Sequence, residues 1–322
     1  MSHCGSGALA AIAGGRDRHA GSAMTVSEIT FWKESVGRRQ HGATLLEFLV
    51  QACRLNESDA RDLIDFGSVQ VSGRRERDPS RRLFPGDEVR VHWPRKGIRR
   101  FYEVDPARFL HRDRWILAYD KEAGVPSQET PSDAYNNLYA AVLRHLKAAG
   151  GTPYAALHHR LDRETSGVML FALDPSVNRA LGSLFQQRKM VKSYLAWCQG
   201  VPEADRWSAE KDIGRGKGRY LACPKGEGKP ARTDFRVLWR GSGRSLVAAE
   251  PLTGRTHQVR LHLADSGHPV IGDRRYGSTL PGPLLLHAHR LAFPHPVTWA
   301  ETVVTAPLPE HFPRPPEGSI PG

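Results

Sequence analysis

Between residues 110 and 310, apolar strand candidates and helix candidates follow one another without the strand–helix–strand rhythm that a parallel sheet needs. Trp115–Tyr119, Val168–Leu173, Tyr194–Trp197, Thr233–Trp239 and Leu246–Glu250 have the composition of strands. Helical spacing runs from Asp133 to Ala149, where Gly150-Gly151 stops it. Asp174-Pro175 supplies an N-cap and an N1 proline for a helix reaching Arg188. Thr256–Ser266 spaces Val259, His262 and Leu263 helically, and Gly267 ends the run. Strands without regular crossover helices must pair with near neighbours. The pattern therefore predicts an α+β fold built on a mixed, largely antiparallel sheet.

A smaller α/β module precedes this region. Leu45, Leu46, Phe48 and Leu49 form a helical stripe, and Ser58 is a candidate N-cap for a second helix, Asp59–Phe66, closed by Gly67. Val69–Val71 and Val89–Trp93 alternate as strands, with a turn at Pro85-Gly86-Asp87. Over residues 74–82, Arg74, Arg75, Arg77, Arg81 and Arg82 face only Glu76 and Asp78. The expected organisation is a disordered extension over 1–35, the small module over 38–95 and a linker over 96–109. The main domain follows over 110–310, with a loose Pro/Gly-rich tail over 311–322.

Charge narrows the choice of partner. Forty-six Lys and Arg against thirty-four Asp and Glu leave a formal net charge of +12, which favours nucleic acid or an anionic membrane surface. No apolar run approaches the roughly 20 residues of a membrane span, so a membrane is not expected. The four cysteines have neither metal-ligand nor redox spacing, which points to reduced thiols in the cytoplasm. No zinc or dinucleotide motif is present, so neither metal nor cofactor is expected.

Against this background His159-Arg160-Leu161-Asp162-Arg163-Glu164-Thr165-Ser166-Gly167 stands out, because it is too charged for a core and runs straight into an apolar strand. It reads either as a solvated turn or as a carboxylate kept ionised between arginines. Leu252–His262 is a second patch. Gly254 permits a tight turn, Thr253 or Thr256 could cap the helix, and Arg255 and Arg260 add charge near a helix N-terminus that favours anions. Its plainer reading makes Arg260 and His262 surface groups. Lys192-Ser193-Tyr194 opens a strand, where a tyrosine is often simply half-buried. Leu286–Pro296 carries His287, His289 and His295, which suit structural hydrogen bonding as well as chemistry.

In combination these segments resemble the RluA-type pseudouridine synthases, which isomerise uridine in ribosomal RNA or tRNA. The match runs through the nine-residue segment, Lys192-x-Tyr194, Thr253–Arg260, Gly272-Asp273-x-x-Tyr276-Gly277 and Leu286-His287-Ala288, in order. Residues 40–93 resemble an S4 RNA-binding domain. One departure stands out: Lys121-Glu122-Ala123-Gly124 lacks the proline of the family's Lys-Pro-x-Gly.

The resemblance implies that Asp162 is the catalytic carboxylate, Tyr194 the active-site tyrosine and Arg255 the ion-pair partner of Asp162. Arg160 is implied to fill the stack vacated by the flipped base. Arg163, Lys192, Arg260 and the arginines of the small module are expected to bind RNA, mainly through phosphate. The implied partner is ribosomal RNA ahead of tRNA, and the chain is expected to act as a monomer. Two alternatives stay open: a catalytically silent RNA-binding or ribosome-assembly factor, and a base-releasing glycosidase, which would need a second carboxylate.

Overall fold

The computed structural model describes residues 31–94, 98–150, 153–216, 218–314 and 318. The disorder expected for residues 1–30, the junction of the expected module and linker at Arg95–Gly97 and most of the tail from 315 onward lie outside these. The described chain divides into two compact units. One comprises residues up to Tyr102 together with Glu129–Ala140, and the other comprises Glu103–Gln128 with everything from Ala141 onward.

In the first unit the order is β1 (Phe31–Ser35), α1 (Leu45–Cys53), α2 (Glu57–Asp65), β2 (Val69–Val71), β3 (Arg74–Arg75) and β4 (Glu88–His92). The strands form an antiparallel sheet in the order β1-β4-β2-β3. Thr44 Oγ1 accepts from Glu47 N at 3.2 Å and Glu47 Oε2 accepts from Thr44 N at 2.8 Å, a capping box that fixes the start of α1. Leu45, Phe48 and Leu49 of α1 and Ala60, Leu63 and Ile64 of α2 bury their side chains against Val69, Val71, Val89 and Val91 of the sheet.

Three expectations for this unit are corrected. The cap of α2 is Asn56, whose Oδ1 accepts from Asp59 N at 2.8 Å, and Ser58 lies inside the first turn. Phe31–Ser35, assigned to the disordered extension, is a paired strand, with Trp32 packed on the core and against Phe48. The helix expected from Asp133 begins only at Leu138. Asp133 Oδ1 instead accepts from both Tyr135 N and Asn136 N at 2.8 Å, an Asx turn that mimics a helix cap in sequence.

The second unit carries β5 (Phe109–Arg112), β6 (Ile116–Lys121), α3 (Leu138–Ala148, which begins in the first unit), β7 (Ala156–Leu157), β8 (Ser166–Ala172) and α4 (Asn178–Gln186). Then come β9 (Val191–Gln199), β10 (Arg206–Ala209), β11 (Asp212–Arg215), β12 (Tyr220–Cys223), β13 (Thr233–Gly241), β14 (Arg244–Pro251), α5 (Gln258–Asp265), β15 (Leu286–Pro294) and β16 (Glu301–Thr305). The large sheet runs β10-β13-β14-β9-β15-β8-β6-β5, with β16 on β15 and β7 on β8. Every pairing in it is antiparallel except β15 with β8. The mixed, largely antiparallel sheet expected from the sequence is what forms.

That single parallel contact is tight. A Cβ on Gly167 would lie 2.2 Å from Ala288 O, and its φ of +112° is one that side chains rarely adopt. The glycine ending the nine-residue segment therefore lets β8 enter the sheet beside β15. Alternation along β9 sends Ala196 and Cys198 toward α5, with Tyr194 packed on the same cluster, while Leu195 and Trp197 face the opposite side. On that opposite side Phe312 is buried and Trp197 Nε1 donates to Pro313 O at 3.0 Å. The start of the expected loose tail is thus docked. No helix of the described residues is long and apolar enough to cross a membrane.

Candidate active site

Asp162 sits on the loop between β7 and β8, and three buried groups hold this loop in place. Lys121, at the end of β6, is fully buried, and its Nζ donates to Glu122 O, Val125 O and Arg163 O at 2.8, 2.9 and 3.1 Å. Burial pushes its ammonium down to about 7, while three carbonyl acceptors give each of its protons a partner. Ser127 Oγ donates to Leu161 O at 2.7 Å and accepts from Leu161 N at 3.0 Å. His159 Nε2 accepts from Leu170 N at 2.9 Å, and burial pushes this imidazole down to about 3, so it is neutral. Glu122, where the family resemblance expects proline, lies 3.3 Å from Arg108 Nε, and Gly124 keeps the turn with φ +88°.

The carboxylate meets a guanidinium, and that guanidinium is Arg260. Its Nη1 is 3.1 Å from Asp162 Oδ2, while Nε and Nη2 are committed to Asp273 at 2.6 and 2.9 Å. Asp273 is essentially inaccessible at 1% side-chain exposure, whereas Asp162 retains 22%. The fork of Arg260 is thus locked from behind by a buried carboxylate, and its remaining edge reaches a carboxylate that still touches solvent. Tyr276 lies beneath it, with the guanidinium carbon 5.1 Å from the ring centroid.

His257 closes another side. Its Nε2 is 3.8 Å from Asp162 Oδ2 and its Nδ1 is 2.6 Å from Tyr276 Oη. Burial lowers its proton affinity, and the charge of Asp162 works in the opposite direction. Tyr194 packs against Val259, and burial, then the negative charge of Asp162, raises its hydroxyl well above the usual range. Its phenol is therefore neutral beside the carboxylate.

The expectation for Arg255 is corrected by this geometry. Arg255 is exposed, and its Nε donates to Pro230 O at 3.0 Å. Gln258 explains the turn, because its Oε1 accepts from Arg255 N at 3.0 Å and Thr253 Oγ1 at 2.7 Å, and its Nε2 donates to Arg232 O at 2.8 Å. The N-cap of α5 is His257, in the left-handed conformation at φ 57°, and neither threonine caps the helix.

A profile described as RNA pseudouridylate synthase matches residues 116–265. An RNA pseudouridine synthase of Aquifex aeolicus is 33% identical over 308 residues, covering 90% of this chain and 96% of its own. The chain belongs to the RluA family of RNA pseudouridine synthases. Ribosomal large subunit pseudouridine synthase C of Escherichia coli K12 is likewise 33% identical, covering 77% of this chain and 83% of its own. The solved structure of human RNA pseudouridylate synthase domain containing 4 superposes with a TM-score of 0.55 at 25% identity, covering 64% of this chain and 90% of that one. The corresponding human protein 1 gives 0.51 at 27%, covering 65% and 87%. The protein is accordingly an isomerase acting on RNA, with an S4-like first unit.

In this synthase the expected RNA-binding residues fall into distinct groups, unit by unit. Arg160 is exposed on the Asp162 loop. Arg163 is also exposed, but its Nε donates to Gly124 O at 2.9 Å. Lys192 Nζ donates to Thr253 O at 3.3 Å, and burial pushes it down to about 8. Arg260 is buried in the ion-pair chain and is not a surface phosphate contact. In the S4-like unit Arg74 and Arg77 are exposed, and Arg82 Nη1 donates to Gly42 O at 2.6 Å. Arg81 lies 3.9 Å from Glu76. Arg75 is turned inward, with Nη2 on Thr130 O at 2.7 Å and only 16% side-chain exposure. Sequence reasoning missed His257, Tyr276 and the role of Asp273, although all three stand inside matched motifs.

Proposed function

We propose that this synthase converts uridines of large-subunit ribosomal RNA to pseudouridine with Asp162 as the catalytic carboxylate and no cofactor. The observation that carries the reading is the Asp273–Arg260–Asp162 chain, in which a buried acid orients a guanidinium onto a solvent-reachable carboxylate. The name of the Escherichia coli relative supports the choice of RNA.

The reaction breaks the N1 glycosidic bond, turns the uracil and forms a bond from ribose to C5. The C5 proton leaves and N1 gains one, so no external electrons are needed. Asp162 attacks the sugar or base, or removes a sugar proton, and Arg260 stabilises its charge between turnovers. Tyr194 stacks on the uracil, and Arg160 occupies the space left by the extruded base. Arg74 and Arg77 give the S4-like unit exposed cations for phosphate. The base-releasing alternative lacks support: Asp273, the second carboxylate on Arg260, is buried and fully engaged.

The test is tritium release from RNA transcripts labelled at uridine C5. The wild type releases tritium, Asp162→Ala releases none while still binding, and carbodiimide-stop mapping of a deletion strain shows the missing positions in large-subunit RNA. Equal release by Asp162→Ala refutes the assignment, and missing positions confined to tRNA refute the substrate.

A further inference from the structure

Once C5 of the turned uracil is bonded to the ribose, its hydrogen must leave as a proton, and most groups around Asp162 are unable to take it. Burial, then the negative charge of Asp162, keeps the Tyr194 hydroxyl protonated. Arg260 is a guanidinium paired with two carboxylates, and Lys121 Nζ is buried on three backbone carbonyls. Tyr276 Oη is engaged with His257 Nδ1 at 2.6 Å. Among the described residues, the nitrogen left open beside the carboxylate is His257 Nε2. It lies 3.8 Å from Asp162 Oδ2 and makes no hydrogen bond of its own.

The fold presents this imidazole deliberately placed. His257 caps α5 in the left-handed conformation at φ 57°, a strained backbone state that concentrates at functional sites. The rings of Tyr220 and Tyr276 stand edge-on to it, with centroids 5.9 and 5.5 Å away. The ring is thereby clamped with Nδ1 bound and Nε2 turned to the carboxylate. Its side chain keeps 16% exposure beside the 22% of Asp162, so both groups border solvent. Asp162 faces it from the β7–β8 loop, Arg260 from α5, and Asp273 and Arg275 from the segment that carries Tyr276. Burial lowers its proton affinity, the two carboxylates raise it and the two arginines lower it. The net direction is downward, so the ring begins neutral at pH 7 and has a free lone pair.

We propose that His257 is the catalytic base that removes the C5 proton, with Nδ1–H donated to Tyr276 Oη and Nε2 bare toward the substrate. Asp162 Oδ2 meets the ribose, and C5 is joined to the ribose when the proton must leave, which brings the C5 hydrogen to the Nε2 side of the site. The C5–H bond breaks and its electron pair forms the C5–C6 double bond. The pair of the C6–N1 double bond moves to N1, which takes a proton from water, and Nε2 later gives the C5 proton to water. The imidazolium formed in between stands beside a carboxylate that is again free to stabilise it. The inference rests on the reading of Asp162 as acting on RNA uridine.

The test measures pseudouridine formation on large-subunit transcripts that carry hydrogen or deuterium at uridine C5. His257→Gln keeps bulk and a hydrogen bond to Tyr276 but takes no proton. His257→Gly suits the left-handed cap and leaves room for free imidazole. Unfolding midpoints establish that the variants are folded, and the glutamine variant decides alone if the glycine variant is not. In each, kcat falls by about 100-fold or more. Deuterium slows each variant more than it slows the wild type, because C5 deprotonation becomes rate-limiting. Added imidazole restores His257→Gly and shrinks its isotope effect. A kcat near wild type in His257→Gln overturns the assignment. So does a fall with an isotope effect no larger than that of the wild type, which makes His257 a support of Asp162 and not a base. In both cases an inactive Asp162→Ala leaves the catalytic reading standing, whereas no pseudouridine from the wild type on any transcript overturns both.

Discussion

Replacing Asp273 with asparagine tests how the site is held without touching Asp162. In the native protein Asp273 accepts Nε and Nη2 of Arg260 at 2.6 and 2.9 Å, at 1% exposure. Asparagine keeps the shape and one acceptor, but it removes the charge and presents an amide N–H to a guanidinium that cannot accept it. Breaking a buried pair by removing one charge costs about 3–5 kcal/mol. The lower end applies here, about 3 kcal/mol, because Asp162 still offers Arg260 a negative partner at 3.1 Å. For a unit of this size that lowers the melting temperature by about 6–12 °C. Freed from behind, Arg260 no longer fixes the carboxylate, and a displacement on the order of 1 Å lowers kcat/KM by roughly 100-fold. Urea unfolding with an unchanged m-value, paired with tritium release on the folded variant, reads both effects. Wild-type stability together with wild-type release would refute the claim that Asp273 orients the ion pair.

Gly167→Ala should be among the most damaging single changes, because its Cβ would fall 2.2 Å from Ala288 O at φ +112°. The loss is expected to exceed about 3 kcal/mol, and recovery of soluble, cooperatively melting protein at wild-type temperature would contradict it. Acid should act through His159. Its folded form stays neutral down to about 3, against an ordinary value of 6.5, so its contribution is complete above pH 6.5 and is lost as the pH falls toward 3. His159→Gln keeps an acceptor for Leu170 N without titrating, so its stability should decline less steeply over that window. Urea midpoints measured against pH decide, and parallel curves for variant and wild type would exclude His159 as the source. Lys121→Met should leave the carbonyls of Glu122, Val125 and Arg163 without their shared donor. A loss of about 2–3 kcal/mol is expected, together with faster proteolytic cleavage of the Asp162 loop, and an unchanged cleavage rate would argue against this anchor.

Much of this architecture was readable because local and global signals agree. Apolar runs such as Val168–Leu173 without a crossover rhythm gave the mixed sheet, whereas the close approach of Gly167 to Ala288 shows only once β8 lies beside β15. What could not be read was mostly a matter of which side chains turn inward. Arg255 and Arg260 stand five residues apart in one motif, and either could meet Asp162. The choice is made by the backbone of His257 and by the side chain of Gln258, which fixes the turn and leaves Arg255 on Pro230 O. Arg260 reads as a surface charge until Asp273, thirteen residues on, is seen buried against it. Phe31–Ser35 is only five residues long, and its two aromatics are adjacent where a half-buried strand would alternate, so only its pairing with Glu88–His92 reveals it as a strand. The histidines in Leu286–Pro294 similarly disguised a central strand whose buried His287 is satisfied by Ser166 Oγ at 2.9 Å.

The most direct measurement sets Arg260→Lys and Arg255→Gln side by side in tritium release from C5-labelled RNA, with unfolding midpoints recorded for both. Lysine keeps the charge but lacks the planar fork that grips Asp273 through Nε and Nη2 while Nη1 reaches Asp162, so kcat/KM should fall by about 100-fold, whereas Arg255→Gln should stay within about fivefold of wild type. An inactive Arg255 variant beside a fully active Arg260 variant would contradict the account.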